Sequence, residues 1–431
     1  MPFPLTTIEE LAAPTKGSIK IGPFGSQLRK EEMVSDGVKV YGQENVISGG
    51  WGEGDRRVSR SKYLALRSCE LVPGDLVLTM MGTVGRCAIF PDDVEPGIMD
   101  SHLLRIQADP GQVDRAYLRT VVSAEELVGR QIARLSHGSI MAGLSSSIVR
   151  RLAVPLPPLP EQRRIAEILD TVDEAIRKTE QVIAKLKLIK QGLLHDLLTR
   201  GIDENGELRD PLRHPEQFKG SPLGTIPREW EVGSAASFME RVTVGVVSGA
   251  THAYRDSGVP FIRSQNVKPN RIEAEDLLFI SHAYHKTKSS SELRAGDVVI
   301  VRTGYPGTAA VIPDTLDRSN CFSLVIARPT KSVLDSTFFA QYLNSPACKA
   351  LIGRTHFGSA QHNFNIGEMR RLPMVVPRLE EQHRVIRVLT SLDNRTAQEI
   401  SEWDKLRLLK SGLMEDLLTG RVRVKVPPEA A

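Results

Sequence analysis

Hydrophobic residues are distributed along the chain in two alternating patterns. Short apolar runs broken by Gly and Pro, at 38–41, 76–80 and 87–90, predict short strands in the stretch 1–154. Helical spacing follows near 114–135. Then the pattern changes: Ile165, Leu169, Val172, Ile176, Ile183 and Leu186 recur at intervals of three, four and seven, which is a coiled-coil seam. Pro155, Pro157, Pro158 and Pro160 forbid a continuous helix upstream and fix its start. Both patterns then return. The polar, Pro- and Gly-rich stretch 201–229 reads as an exposed linker, 230–376 as a second globular region, and Val385, Leu389, Leu392, Trp403 and Leu406 mark a second long helix. A helix of about 39 residues spans about 58 Å, far beyond the globular average, and so reads as a spacer.

The long helices are a repeat. Residues 157–200 and 377–420 align without a gap and share 17 of 44 positions, among them Glu161-Gln162/Glu381-Gln382, Asp173/Asp393, Lys190/Lys410, Gly192/Gly412 and 196–199/416–419. The globular regions echo each other more faintly: Gly37-Val38…Asn45-Val46 with Gly258-Val259…Asn266-Val267, 73–77 with 295–299, 82–85 with 304–307, Gly138-Ser139 with Gly358-Ser359, and 150–152 with 370–372. Their order is kept at offsets of 220–222, so the whole half is duplicated. An internal repeat can build an approximate two-fold axis, and duplex DNA is the commonest two-part target. Helices that stay alike while globular parts drift suit one shared task and two different targets.

Composition narrows this. At 431 residues there is room for two to three domains, and 41% hydrophobic with 25% charged residues suits a soluble globular protein. No apolar run reaches the roughly 18 residues of a membrane span, and the N-terminus lacks the pattern of a secretion signal. Cys69, Cys87, Cys321 and Cys348 stand apart without a CxxC pair, which fits a reducing cytoplasm and argues against disulfides or structural zinc. The net charge of +4 divides as −1 over 1–150, 0 over 151–220, +4 over 221–376 and +1 over 377–431. That is mild for a protein holding DNA alone by phosphate neutralisation, so DNA binding would draw on a partner.

Catalytic signatures are missing: there is no GxxxxGK[ST] loop, no HExxH, and no Asn-Pro-Pro or Asp-Pro-Pro of the amino-methyltransferase kind. His282 and His285 have no third ligand and read as a solvated loop. The segment 22–26 reads as a tight turn or an anion-binding loop, with Ser26 and Gln27 beside it as candidate contacts. Binding chemistry is better represented. In the glycine-rich stretch 49–63, Trp51 precedes Arg56, Arg57, Arg60 and Lys62; such a segment reaches a groove, or is a solvated basic turn. In the second half His285, Lys286 and Lys288 hold a comparable place, Arg302 precedes the Gly304/Gly307 turn, and Gln361 and Asn363 follow the second Gly-Ser. Asn and Gln suit adenine edges, or cap turns. On the helices, Glu161, Gln162, Asp173 and Asp393 read as caps and surface pairs. Glycine kept at 192 and 412, at a cost of about 1 kcal/mol each in mid-helix, points to close helix approach or a bend.

Taken together, Pro-Leu-Pro-Pro-Leu-x-Glu-Gln, a long helix and Lys-x-Gly-Leu-Leu-x-Asp-Leu-Leu-Thr-x-Gly resemble the specificity subunit of type I restriction–modification systems. So do Gly-Pro-Phe-Gly-Ser-Gln-Leu in the first half and the central stretch from Gly201 to Trp230. The resemblance implies an α+β chain: target-recognition domains at 1–154 and 230–376, spacer helices at 155–200 and 377–420 forming an antiparallel coiled coil, the linker 201–229 and a tail at 421–431. Each domain would read half of a split DNA sequence. It implies a non-catalytic, cytoplasmic subunit of a phage-defence system. Its partners would be double-stranded DNA, two methyltransferase subunits bringing S-adenosylmethionine, and restriction subunits bringing ATP and Mg chemistry. Docking candidates are the repeated Glu161, Gln162, Glu381, Gln382, Gly192 and Gly412. Because the tail is short, ring closure would come from the N-terminal segment meeting the second helix. The alternatives are the recognition subunit of a fused cutting-and-methylating enzyme and, remotely, a stand-alone nuclease.

Overall fold

The computed structural model describes residues 3–81, 85–135, 144–354 and 363–426. The chain forms two compact units, 1–180 with 401–431 and 181–400, and both boundaries fall inside a long helix. Each unit therefore holds one globular body, the opening half of one long helix and the closing half of the other.

In the first unit a four-stranded antiparallel sheet runs in the order Ile19–Ile21, Leu103–Ile106, Leu76–Thr79, Cys87–Ile89. A five-stranded sheet lies alongside in sequence, and in it Val38–Tyr41 and Gly97–Met99 pair in parallel. Leu5–Thr7 pairs with Ala153–Pro155, so the first and last strands of the body close on each other just ahead of the helix. The second unit repeats this plan. Its four-stranded sheet runs Met239–Val244, Leu324–Pro329, Val298–Val301, Ala309–Val311; Val259–Ile262 pairs in parallel with Asn320–Cys321; and Glu231–Ser234 closes on Pro373–Val376.

The faint sequence echoes are the fixed points of this plan. Gly37 and Gly258 sit at φ +150° and +146°, where an added Cβ would come within 2.2 and 2.5 Å of the carbonyls of Val58 and Ile280; only glycine fits. Asn45 and Asn266, eight residues on, are both buried. Each accepts a backbone N–H (Gly42, Arg263) and donates to two carbonyls, holding the following loop. Asp297 takes both Nε and Nη2 of Arg328 at 2.7 and 2.8 Å, while its counterpart Asp75 faces Arg105 at 3.8 Å. Burial holds the Asp75 carboxyl above its ordinary range.

The long helices, Leu159–Thr199 and Leu379–Thr419, are 41 residues each. They run antiparallel within each unit: Lys410 meets Asp173 at 2.5 Å and the Trp403 indole donates to Glu180 in the first, and Lys190 meets Asp393 at 2.5 Å in the second. The predicted seam is only partly a helix–helix seam. Ile165 and Leu169 are buried in the first globular core together with Leu417 and Leu418. Val385 and Leu389 enter the second core together with Leu194, Leu197 and Leu198. Each such side chain contributes roughly 1.5–3 kcal/mol on burial, against about 0–1 kcal/mol for an exposed ion pair. The helix ends are thus parts of the domains rather than plain spacers.

The repeated Glu-Gln locks these ends. Gln162 accepts the Asp114 N–H and donates to the Gln112 and Pro157 carbonyls; Gln382 does the same with Asp335, Val333 and Pro377. Arg423, beyond the second helix, donates to both oxygens of Glu161 at 2.7 and 2.5 Å. Arg209, beyond the first helix, forks onto Glu381 at 2.5 and 3.1 Å, where the Ile202 N–H and the Trp230 indole also bind.

Two expectations change. The stretch 201–229 is not an exposed linker: it carries the hairpin Phe218–Ser221/Gly224–Pro227 and buries Ile202, Phe218 and Ile226, because these apolar residues and Arg209 have partners in the second unit. Gly192 and Gly412 do not admit a close neighbour, since among the described residues nothing lies within 4 Å of an added Cβ at either. The N-terminal segment meets the end of the second helix and the residues just past it: Phe3 shares a core with Leu417 and Leu418, packs on Gly420, and lies 4.7 Å under the Arg423 guanidinium.

Arg209→Met leaves the Glu381 carboxylate buried without a counter-charge and is expected to cost about 3–5 kcal/mol. Arg423→Met leaves Glu161, equally buried at 4% exposed, without its counter-charge and is expected to cost a comparable amount. Denaturant titration of both variants measures this, and losses of about 1 kcal/mol or less, as for an exposed pair, would contradict the burial argument.

Candidate nucleic-acid interface

In the first unit the glycine-rich stretch after the helix Gln43–Ser48 is held by Asn45 and by Lys39, whose Nζ donates to the Gly52 carbonyl at 2.8 Å. Trp51 does not face a groove. It is 7% exposed and packs edge-on with Tyr41 and Phe90, at 5.7 and 5.1 Å. Its expected DNA contact is therefore corrected to a core role, the indole being apolar enough to complete that cluster.

Most of the basic run is neutralised locally. Arg56 bridges Asp100 and Glu44 at 2.8 and 2.5 Å. Arg57 forks onto Glu95 at 2.9 and 2.8 Å, which raises the arginine's pKa and holds the Glu95 carboxyl below its usual range. Lys62 pairs with Glu32 at 2.6 Å and lowers that carboxyl too. Arg60, at the start of the helix Arg60–Ala65, is exposed and forms no ion pair among the described residues. Ser26 and Gln27 are exposed; Gln27 caps its own turn by accepting the Phe24 N–H, which favours the tight turn over the anion loop.

In the second unit Ser281 caps the helix His282–Thr287. His285 is turned inward, its ring nitrogens 3.3 Å from Glu292 and from the Asn320 amide, so its expected DNA contact is corrected to a structural one. Lys288 lies 5.6 Å over the Tyr284 ring, and Lys286 is exposed. Arg302 and Asn363 are brought to one edge, because Phe364 donates its N–H to the Arg302 carbonyl at 2.8 Å. Gln361 lies outside the described residues.

The docking candidates separate. Glu161, Gln162, Glu381 and Gln382 are 4, 1, 4 and 0% exposed and hydrogen-bonded inside their units, so they offer no face to a partner and that expectation is corrected. Gly192 and Gly412 are exposed, and large apolar side chains flank them: Leu188 and Ile189 in one unit, Leu408 and Leu409 in the other. Sequence reasoning passed over these three leucines and one isoleucine because they fell outside the seam; their repetition was the available signal. Among the described residues no cluster of His, Cys, Asp or Glu could hold a metal. Burial raises the thiols of Cys87 and Cys348 to about 12.

The type I restriction modification DNA specificity domain model matches residues 30–188 and 227–405. The type I restriction enzyme MjaVIII specificity subunit of Methanocaldococcus jannaschii is 26% identical over 76% of this chain and 75% of its own length. The EcoBI specificity subunit of Escherichia coli is 23% identical over 58% and 53%. Two solved structures share the fold. One is from work on complex assembly and conformational transition of the type I R-M system, with TM-score 0.53 and 16% identity over 98% of both chains. The other is the type I S subunit from M. genitalium, with TM-score 0.57 and 14% identity over 97% of this chain and 96% of that one.

Arg60→Ala is expected to weaken DNA binding and to lower the slope of log K against log salt by about 0.9, one phosphate contact. Arg57→Ala is expected to leave that slope unchanged. Binding titrations across a salt series decide between them.

Proposed function

The chain belongs to the family of type I restriction–modification DNA specificity proteins, and from that membership we infer how its two units divide the work. It is the DNA-recognition subunit of a type I restriction–modification complex and reads a bipartite site, one domain to each half-site. The observation that carries this is the duplication itself. One family model matches twice, each match covers most or all of one globular body with most of the helix that follows it, and the two bodies share strand order while differing in their surface cations.

The chain supplies the address and its partners the chemistry. The polar groups repeated between the halves support this division: Asn45/Asn266, Asp75/Asp297, Gln162/Gln382 and Glu161/Glu381 are all buried and engaged in structure. S-adenosylmethionine, ATP and Mg then reside on methyltransferase and restriction subunits. A cytoplasmic location follows from that role; no helix among the described residues is long and apolar enough to cross a membrane.

Methyltransferase docking is best assigned to the repeated apolar surfaces. Leu188 and Ile189 are 69 and 43% exposed beside Gly192, and Leu408 and Leu409 are 74 and 50% exposed beside Gly412. A helix presenting apolar knobs around a residue with no side chain offers a hole for a partner helix. One such surface occurs in each unit, which matches two methyltransferase copies.

Methylome sequencing of a host with and without this gene, with the methyltransferase expressed in both, is expected to show one bipartite motif appear. An unchanged methylome overturns the function. Leu188→Asp and Leu408→Asp are each expected to reduce the bound methyltransferase from two copies to one, read as mass by light scattering. Retention of two copies in both variants would remove these surfaces from the interface.

A further inference from the structure

The two units carry equivalent strands that lead into residues of different chemistry. In the first unit the strand Leu76–Thr79 leads into Met80, and in the second Val298–Val301 leads into Arg302. Both residues accept the same returning backbone bond, Leu144 N–H to Met80 at 3.1 Å and Phe364 N–H to Arg302 at 2.8 Å. Met80 is buried and apolar. Among the described residues Arg302 is poorly satisfied: its Nε is enclosed without a hydrogen-bond partner, and Nη1 makes one long bond, 3.4 Å, to the Ser323 hydroxyl. Ser323 itself stands at φ +52°, an uncommon conformation for a non-glycine residue. The contrast lies in the guanidinium ends: Arg328 places two N–H groups on Asp297 and Arg105 donates from both Nη groups to backbone carbonyls, whereas Arg302 has the one long bond.

Beyond Arg302 the chain makes a braced turn. Gly307 donates to Val301 at 2.9 Å and Thr308 to Tyr305 at 3.2 Å. From the helix Pro346–Arg354, Lys349 Nζ donates to the Thr308 hydroxyl at 3.1 Å and the Pro306 carbonyl at 3.3 Å. Burial draws the Lys349 amine down to about 8. Ile352 fills the space over Gly307, where an added Cβ would lie 2.4 Å from its Cδ1. Held out by this support, Tyr305 is 83% exposed. Val247 is 63% exposed, and its neighbour Val246 accepts the Ser323 N–H at 2.9 Å. A guanidinium with spare donors, an exposed aromatic ring and a rigid mount together form a recognition element rather than an ordinary solvated turn.

We propose that the turn 302–308 of the second unit determines specificity at one half-site: Arg302 hydrogen-bonds a base edge, Tyr305 packs against the adjacent base, and Lys349 is a positioning residue that holds the turn. The proposal rests on the DNA-recognition role above and assigns it to particular atoms. The guanidinium fork matches the two acceptors of guanine in the major groove. Tyrosine supplies a large, rigid contact with few rotatable bonds.

The test uses the assembled complex with its methyltransferase and a set of duplexes with single-base substitutions through both half-sites. Against the intact protein, each substitution is expected to cost about 5- to 150-fold in affinity. Arg302→Met and Arg302→Lys are both expected to abolish the penalty at one position of one half-site, since lysine restores charge but not the fork. Tyr305→Ala is expected to flatten the neighbouring position. Lys349→Met is expected to relax both, and Lys349→Arg to restore them. Penalties in the other half-site stay as they were, which reports an intact fold. If Arg302→Met and Tyr305→Ala lower affinity uniformly with every positional penalty retained, the turn is only a phosphate anchor and the proposal is overturned. If the intact complex shows no positional penalty anywhere, the recognition role fails, and the proposal with it.

Discussion

The structure depends on a carboxylate at the start of each long helix that burial has stripped of water. Glu381 lies 4% exposed, and an isolated charge in such a place is not tolerated. Arg209 meets it from beyond the end of the other helix, with the Trp230 indole and the Ile202 N–H completing its shell. In the first unit Glu161 makes the same demand and Arg423 answers it from the far end of the chain. The start of one helix is thereby tied to the segment that follows the other. Antiparallel pairing within a unit, the placing of the Leu417-Leu418 and Leu197-Leu198 pairs in the cores, and the folding back of 201–229 are consistent with that one tie.

The ion pairs along the helices have a different part. Lys410–Asp173 and Lys190–Asp393 are partly exposed, at 30 and 42% and at 25 and 42%. Such pairs contribute about 0–1 kcal/mol, far less than the leucines at the helix ends. What they add is register. A slip by one turn would break each pair and move Glu161 or Glu381 from its arginine. Apolar burial holds the frame together, and the repeated charges choose which of several similar alignments it adopts.

The architecture was legible in the sequence wherever a residue is repeated for a backbone reason. Gly37/Gly258 and Asn45/Asn266 were visible as echoes, and each proves to fix a loop. The long helices were legible from apolar spacing, to within two residues of the observed length. The partners of buried charge were not. Glu161 and Gln162 looked like surface caps because nothing local shows that Arg423, 262 residues away, or Gln112 and Asp114 close over them. The basic run 56–62 misled for the same reason: Glu95, Asp100 and Glu32 come from distant strands and turns. Trp51 carried no signal that separates a core indole from an exposed one, because its packing partners Tyr41 and Phe90 are set by sheet topology.

These facts separate frame from reading surface by a physical criterion. A polar group fully satisfied within its own unit is poorly placed to read a base, since turning outward would leave a buried partner unpaired, at about 1–3 kcal/mol or more. Arg57, Arg328, His285 and the Glu-Gln pairs belong to the frame by that measure. Arg60 in one unit, and Arg302 in the other, keep donors without strong internal partners among the described residues. The contrast is sharpest at the equivalent positions Met80 and Arg302: one closes a core, and the other, among the described residues, carries unpaired hydrogen-bonding capacity to the edge of its domain. Duplication supplies two equivalent mounts, and specificity for two unlike half-sites then requires only that the residues on the mounts diverge while the charges and glycines beneath them stay fixed.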